Sequence, residues 1–127
     1  MAIKRIVTKY EGVENPMPED IYLGELIAVS EGEGQYGSYI KFDFKVVEGS
    51  YEGEVRSTIT SDKLSRSPKG NSRLLDIVEA LNGKKLSLDK EVDLEQYIGK
   101  RGRIWIDPTF QKDEITMQNI SKVTSLK

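Results

Sequence analysis

The clearest periodicity in the chain lies at residues 38–47, SYIKFDFKVV. Ile40, Phe42, Phe44 and Val46 alternate with Tyr39, Lys41, Asp43 and Lys45. A period of two puts one set of side chains in a core and the other toward solvent, so this segment is a half-buried strand. Residues 21–30, IYLGELIAVS, read as an apolar-rich strand in which Gly24 marks a bulge or bend. The segment between them, EGEGQYG at 31–37, carries three glycines and reads as a turn or flexible loop. After the short turn at 48–50, YEGEVRSTIT (51–60) gives a third strand. Val55, Ser57 and Ile59 share one of its faces, and Arg56, Thr58 and Thr60 the other, which is taken to point outward. The second and third strands are expected to form a hairpin.

The period then changes. A polar loop, SDKLSRSPKGNSR (61–73), precedes a helix predicted at 72–82, where Leu74, Leu75, Val78 and Leu81 keep a 3.6-residue stripe. Asn71 or Ser72 can cap its start, and Gly83 suits its end. Asp93 and Gln96 have capping-box spacing for a short helical turn that Gly99 stops. KRGRIWID (100–107) is a fourth strand, PTFQKD (108–113) a turn, and EITMQNISKV (114–123) a fifth strand. Residues 1–20 end in ENPMPED, whose prolines and acids argue for an extended N-terminal arm leading into a domain at 21–127.

The expected fold class is therefore all-β: a five-stranded OB-fold Greek-key barrel with an α-helix between strands 3 and 4. In that architecture the loop after strand one and the loop between strands four and five flank the binding face. Here those are EGEGQYG and PTFQKD. An SH3-like barrel has no natural place for the helix, and an open α+β sheet fits the order less well.

Composition narrows the chemistry. The chain has 127 residues, enough for one core, with no histidine and no cysteine. Disulfides, thiolate nucleophiles, sulfur-ligated metals and the commonest general base are thereby removed. EGEG at 31–34 lacks the spaced ligands of a calcium loop, and PKGNSR falls short of a phosphate-loop pattern. No carboxylate constellation supports an enzyme, and no cofactor is expected. No apolar run approaches a membrane span, and MAIKRIVTKYEG lacks the apolar stretch of a secretion signal, so a cytoplasmic protein is expected.

The net charge is −2, but it is unevenly spread. Residues 1–59 carry 6 basic and 11 acidic groups, residues 60–103 carry 10 and 7, and residues 104–127 carry 3 and 3. A single-stranded nucleic acid needs cations for its backbone and aromatic faces for its bases. Tyr36, Tyr39, Trp105 and Phe110 supply the aromatics. Lys41 and Arg56 on the central hairpin, Lys63, Arg66, Lys69 and Arg73 in the polar loop, Arg101 and Arg103 beside Trp105, and Lys112 beside Phe110 supply the cations.

The run YLGELIAVSEGEGQYGSYIKFDFKVVEGSYEG, followed by SPKGNSRLLDIVEALNG and VDLEQYIGKRGRIWI, resembles small phage- and plasmid-associated OB-fold proteins over about residues 21–107. The resemblance rests on pattern and spacing, the Gly-Tyr-Gly turn at 34–37 above all. It implies a replication-associated, non-sequence-specific single-stranded DNA-binding protein, acting in a cytoplasm that is the host's if the source is a phage. The chain departs from the familiar bacterial single-strand binders by ending in SKVTSLK rather than an acidic tail, so recruitment of partners through such a tail is not implied. The residues alone leave single-stranded DNA and RNA both open, and oligosaccharide binding as well. The rival expectation, from the acidic first half, is a protein-interaction or assembly module without nucleic-acid affinity. Exposed strand edges would allow homo-oligomers in either case.

Overall fold

The computed structural model describes residues 12–35, 37–87, 89 and 91–126. Nine strands, one α-helix and one 3₁₀ turn follow one another along these residues. The strands are β1 (Asp20–Gly34), β2 (Gly37–Val46), β3 (Val55–Ser61), β4 (Arg66–Ser67), β5 (Gly70–Asn71), β6 (Arg101–Ile106), β7 (Phe110–Lys112), β8 (Ile115–Met117) and β9 (Ile120–Thr124). Helix α1 (Arg73–Asn82) and the 3₁₀ turn Leu94–Tyr97 fall between β5 and β6. Five strands form one antiparallel sheet in the order β3-β2-β1-β6-β9, while β4-β5 and β7-β8 form two small hairpins. The edge strands β3 and β9 share no ladder, so this sheet is mostly-β architecture with a helix but not a closed barrel.

The alternation read from β2 holds. Ile40, Phe42, Phe44 and Val46 are buried, and Tyr39, Lys41, Asp43 and Lys45 lie on the other face. In β6, Ile104 and Ile106 are buried, and Arg101, Arg103 and Trp105 point away from the core. β1 is long because it serves two partners. Residues 20–25 pair with β6, and residues 24–34 pair with β2. A bulge interrupts the second ladder, since Leu26 faces Phe44 but Ala28 faces Asp43, which leaves Ile27 as the extra, exposed residue. Gly24 is not that bulge. It sits under Ile104, where an added Cβ would come within 3.0 Å of the isoleucine side chain, so its role is close packing where β1 pairs with both β2 and β6.

Residues 31–34, expected as loop, are instead the end of β1 and pair with 37–40. The Tyr39 ring lies over Gly32, where a Cβ would meet its hydroxyl at 2.5 Å, so an aromatic covers backbone that glycine leaves bare. Residues 51–53 are turn and the third strand begins only at Val55, and the expected fifth strand is broken into β8 and β9. The turn between β7 and β8 holds Asp113 and Glu114 at φ 52° and 66°, the pair of left-handed residues that a tight hairpin requires.

Helix α1 starts where Ser72, in extended conformation, accepts the Leu75 N–H on its Oγ, and it stops at Gly83, whose φ of 82° only glycine adopts freely. Leu74, Leu75, Ile77, Val78 and Leu81 are buried, and all but Leu75 join Leu26, Phe42, Phe44, Ile104, Ile106, Ile120 and Val123 in one core. Each such side chain contributes roughly 1.5–3 kcal/mol through its burial. Asp93 caps the 3₁₀ turn as its spacing implied, and Tyr97 enters the core. Of the arm expected at 1–20, residues 1–11 lie outside the described residues; residues 12–19 carry no strand and lead into β1 at Asp20, yet they are held: Met17 is buried, and the Tyr22 hydroxyl donates to the Pro18 carbonyl at 2.7 Å. Among the described residues no helix is long and apolar enough to cross a membrane.

Candidate nucleic-acid interface

The predicted cations separate into those that hold the fold and those that face solvent. Arg56 is a correction. Its parity on β3 suggested an outward side chain, but it pairs across from the inward Phe44 and is buried at 5% exposure. Its Nε donates to Gln118 Oε1 at 3.2 Å, one terminal nitrogen to the Val55 carbonyl at 2.9 Å, and the other to the Asn15 carbonyl at 2.8 Å. The face of β3 that looked apolar, Val55 and Ile59, is the exposed one, at 43% and 57%. The hairpin register fixes this: Val55 sits opposite Lys45 and Ile59 opposite Lys41, both on the outer face of β2. The inward Arg56, Thr58 and Thr60 lie at the edge of the sheet, where polar partners can reach them.

Gln118, which no sequence motif singles out, makes that arrangement possible. Its Oε1 accepts from Arg56 and from the Met17 N–H at 3.0 Å, and its Nε2 donates to the carbonyls of Met17 and Asp107. Four polar groups are satisfied by one buried amide. The signal in the sequence is only a polar pair, Gln118 and Asn119, interrupting an apolar strand pattern.

Arg73 and Arg66 are likewise committed. Arg73 reaches from the start of α1 to Thr58 Oγ1 on β3 and to the carbonyls of Ser121 (2.7 Å) and Ile120 (3.1 Å) on β9. It therefore bridges the two unpaired edges of the sheet. Arg66 pairs with Glu79 on α1 and donates to the Leu86 carbonyl at 3.0 Å. Burial pushes the Glu79 carboxyl upward, but hydrogen bonds from Arg66, the Leu86 N–H and Asn71 outweigh it and hold it below the usual carboxylate range. The 61–73 segment is thus anchored through its arginines. Its Lys63 and Lys69 remain exposed, Lys69 in the β4–β5 turn.

The aromatics do not form one platform. Tyr39 faces Gly32 near one end of β1, and Trp105 faces Ile21 near the other. Eleven residues of strand separate those partners, ~35 Å of chain at ~3.3 Å per residue. Phe110, 44% exposed, and the exposed Lys112 lie on the separate β7–β8 hairpin. Tyr36 lies outside the described residues. Lys41 sits beside Tyr39 and 3.9 Å from Asp43, and Arg101 is paired with Glu25 at 3.1 Å.

The group that does converge surrounds Trp105. Its indole is 37% exposed, and its Nε1–H donates to Thr124 Oγ1 at 3.1 Å, which fixes the ring on the outer face of β6. Lys122 on β9 is its cross-strand partner, and the ammonium lies 5.1 Å from the ring centre. Arg103 stands two residues away on the same face. A separate shallow pocket of about 380 Å³ is lined by exposed Ile21 (42%) and Leu126 (46%), by Arg103 and by the acid Glu48, but not by Trp105 itself. Period-two reasoning could not have found Lys122. Between Trp105 and Ile106 the ladder shifts register, with Ser121 as the extra residue, so Lys122 owes its place on the outer face to a bulge. Among the described residues no group of three or more carboxylates forms a metal site.

Compared with protein-family models and with curated proteins, the chain matches none.

Proposed function

We propose that this chain is an OB-type domain that binds single-stranded DNA without sequence preference, as a protein of replication, recombination or repair in the cytoplasm, and that it is a binder rather than a catalyst. The strand order, the helix between the third and fourth long strands, and the Arg73 bridge between β3 and β9 support the OB reading, in which a small closure of those edges completes the barrel. The observation that carries the binding reading is Trp105: an indole fixed on the outer sheet face, partly open to solvent, with Lys122 over one ring face and Arg103 two residues away on the same strand face. A base stacked on such a ring contributes about 1–3 kcal/mol, and each phosphate met by a nearby cation adds a salt-dependent gain. Retardation of oligo-dT at low salt, with weaker retardation of duplex, is the expected outcome. No retardation of either would overturn the reading.

A second reading has its own observation. β3 is an edge strand whose outward Val55 and Ile59 are exposed, which suits strand addition by a partner or by a second copy. Light scattering that gives a defined oligomer, together with no oligo-dT retardation, would favour it.

A further inference from the structure

Lys122 belongs to two surfaces at once. On the outer face of the sheet it covers Trp105. On the other side of the edge strand β9 it lines an open groove of about 570 Å³ between β9 and α1. Arg73, Lys84 and Lys85 also line this groove, with Asp76 and Glu79 as its acids. Arg73 is spent on the bridge to β3, and Glu79 is spent on Arg66. That leaves Lys84, Lys85 and Lys122 against Asp76. None of the three lysines forms an ion pair among the described residues.

Lys84 and Lys85 follow directly on the helix C-cap, Gly83. Part of their charge offsets the exposed carbonyls of that helix end, an effect of about 0.3–1 kcal/mol. Two adjacent, exposed lysines exceed what that requires, and they point the groove toward an anion.

We propose that the α1–β9 groove is the continuation of the DNA track: the strand stacks a base at Trp105, crosses β9 at Lys122, and lays its phosphates against Lys84 and Lys85. This rests on the single-stranded DNA reading above and adds to it a direction of travel and two phosphate-binding residues. The groove is open rather than a fitted pocket, as a path for a sequence-independent backbone should be.

The test uses the full chain with the double substitution Lys84→Gln and Lys85→Gln, and oligo-dT of about 20 and about 4 nucleotides, lengths that bracket the site sizes of single domains. For the longer oligonucleotide, the slope of log affinity against log salt should flatten by about 1.4, at about 0.7 for each phosphate no longer neutralised. The short one, which reaches Trp105 alone, should bind as to wild type. The pair Lys84→Arg and Lys85→Arg should restore the slope, which a general loss of folding would not allow. An unchanged slope with Trp105 emission still quenched overturns the groove and leaves the Trp105 site standing. A wild-type chain that binds neither oligonucleotide overturns the underlying reading. Binding of polyglutamate in place of oligo-dT overturns the DNA track in favour of an acidic protein partner.

Discussion

The Trp105 indole is clamped from two sides by one strand: Thr124 accepts its N–H at 3.1 Å, and Lys122 sits 5.1 Å from its ring centre. Both partners come from β9, and both owe their position to the Ser121 bulge. The clamp holds the ring still, and under the proposed function that would lower the entropy lost on stacking a base. Thr124→Val removes the hydrogen bond but keeps the shape. It is expected to weaken oligo-dT binding by about two- to tenfold with little loss of stability, the cost of an exposed hydrogen bond. Fluorescence anisotropy and a urea melt on the same variant measure the two effects separately.

Arg73 spans the seam between β3 and β9, and no other side chain matches its three hydrogen bonds there among the described residues. Arg73→Ala should cost about 1–3 kcal/mol, since it leaves Thr58 and two β9 carbonyls without their charged donor. Arg73→Lys should recover only part of this, because an ammonium lacks the planar fork. Urea denaturation reads both values.

Gln118→Ala should be more damaging than its place in a short link suggests. It strips partners from Arg56, from both backbone groups of Met17 and from the Asp107 carbonyl. A loss of about 2–4 kcal/mol is expected, with increased proteolysis near residues 12–19, where the segment is released. Equal stability of the variant and wild type would show that the network is dispensable.

The Arg66–Glu79 pair ties the 61–73 segment to α1 and gives an acid-sensitive element. The folded-state pKa of Glu79 lies below its ordinary value of 4.5. Stability from this carboxylate is therefore present above about 4.5 and is lost as pH falls through the lower folded value. Glu79→Gln should reduce stability at neutral pH and flatten the fall of the thermal midpoint on the acid side. A melt series from neutral to acid pH, run on both proteins, checks the sign.

Tyr39 and Trp105 are separable. Tyr39 lies over Gly32, so Tyr39→Ala should destabilise the β1–β2 hairpin by about 0.2–1 kcal/mol, the worth of a cross-strand pair. With the two aromatics at opposite ends of β1, its effect on a short oligonucleotide should be small. A loss of affinity as large as that from Trp105→Ala would mean that the strand path covers both ends.

Much of the fold was legible because its signals were local. The alternation of Ile40 through Val46, the stripe from Leu74 to Leu81 and the caps at Ser72, Gly83 and Asp93 each depend on near neighbours, and each is found in place. The outer face of the sheet was legible where parity carried through, as for Arg101, Arg103 and Trp105. It failed where the decision was made elsewhere. Arg56 turned inward because its hairpin register, set by the turn before it, placed it across from Phe44 and within reach of Gln118, sixty-two residues away. Arg66 and Arg73 read as free charges because Glu79, Thr58 and the β9 carbonyls meet them only in three dimensions. Lys122 was hidden by a bulge, which adds one residue and reverses every parity beyond it.

Trp105 is the one tryptophan in the chain, so its emission reports on the proposed stacking site without labels. Titration with oligo-dT at ~50 mM and ~200 mM salt should quench that emission saturably, with affinity falling steeply at the higher salt. Emission that stays unchanged at both salts, with oligo-dT in excess, would contradict a stacking site at Trp105 and with it the assignment of this domain to single-stranded DNA.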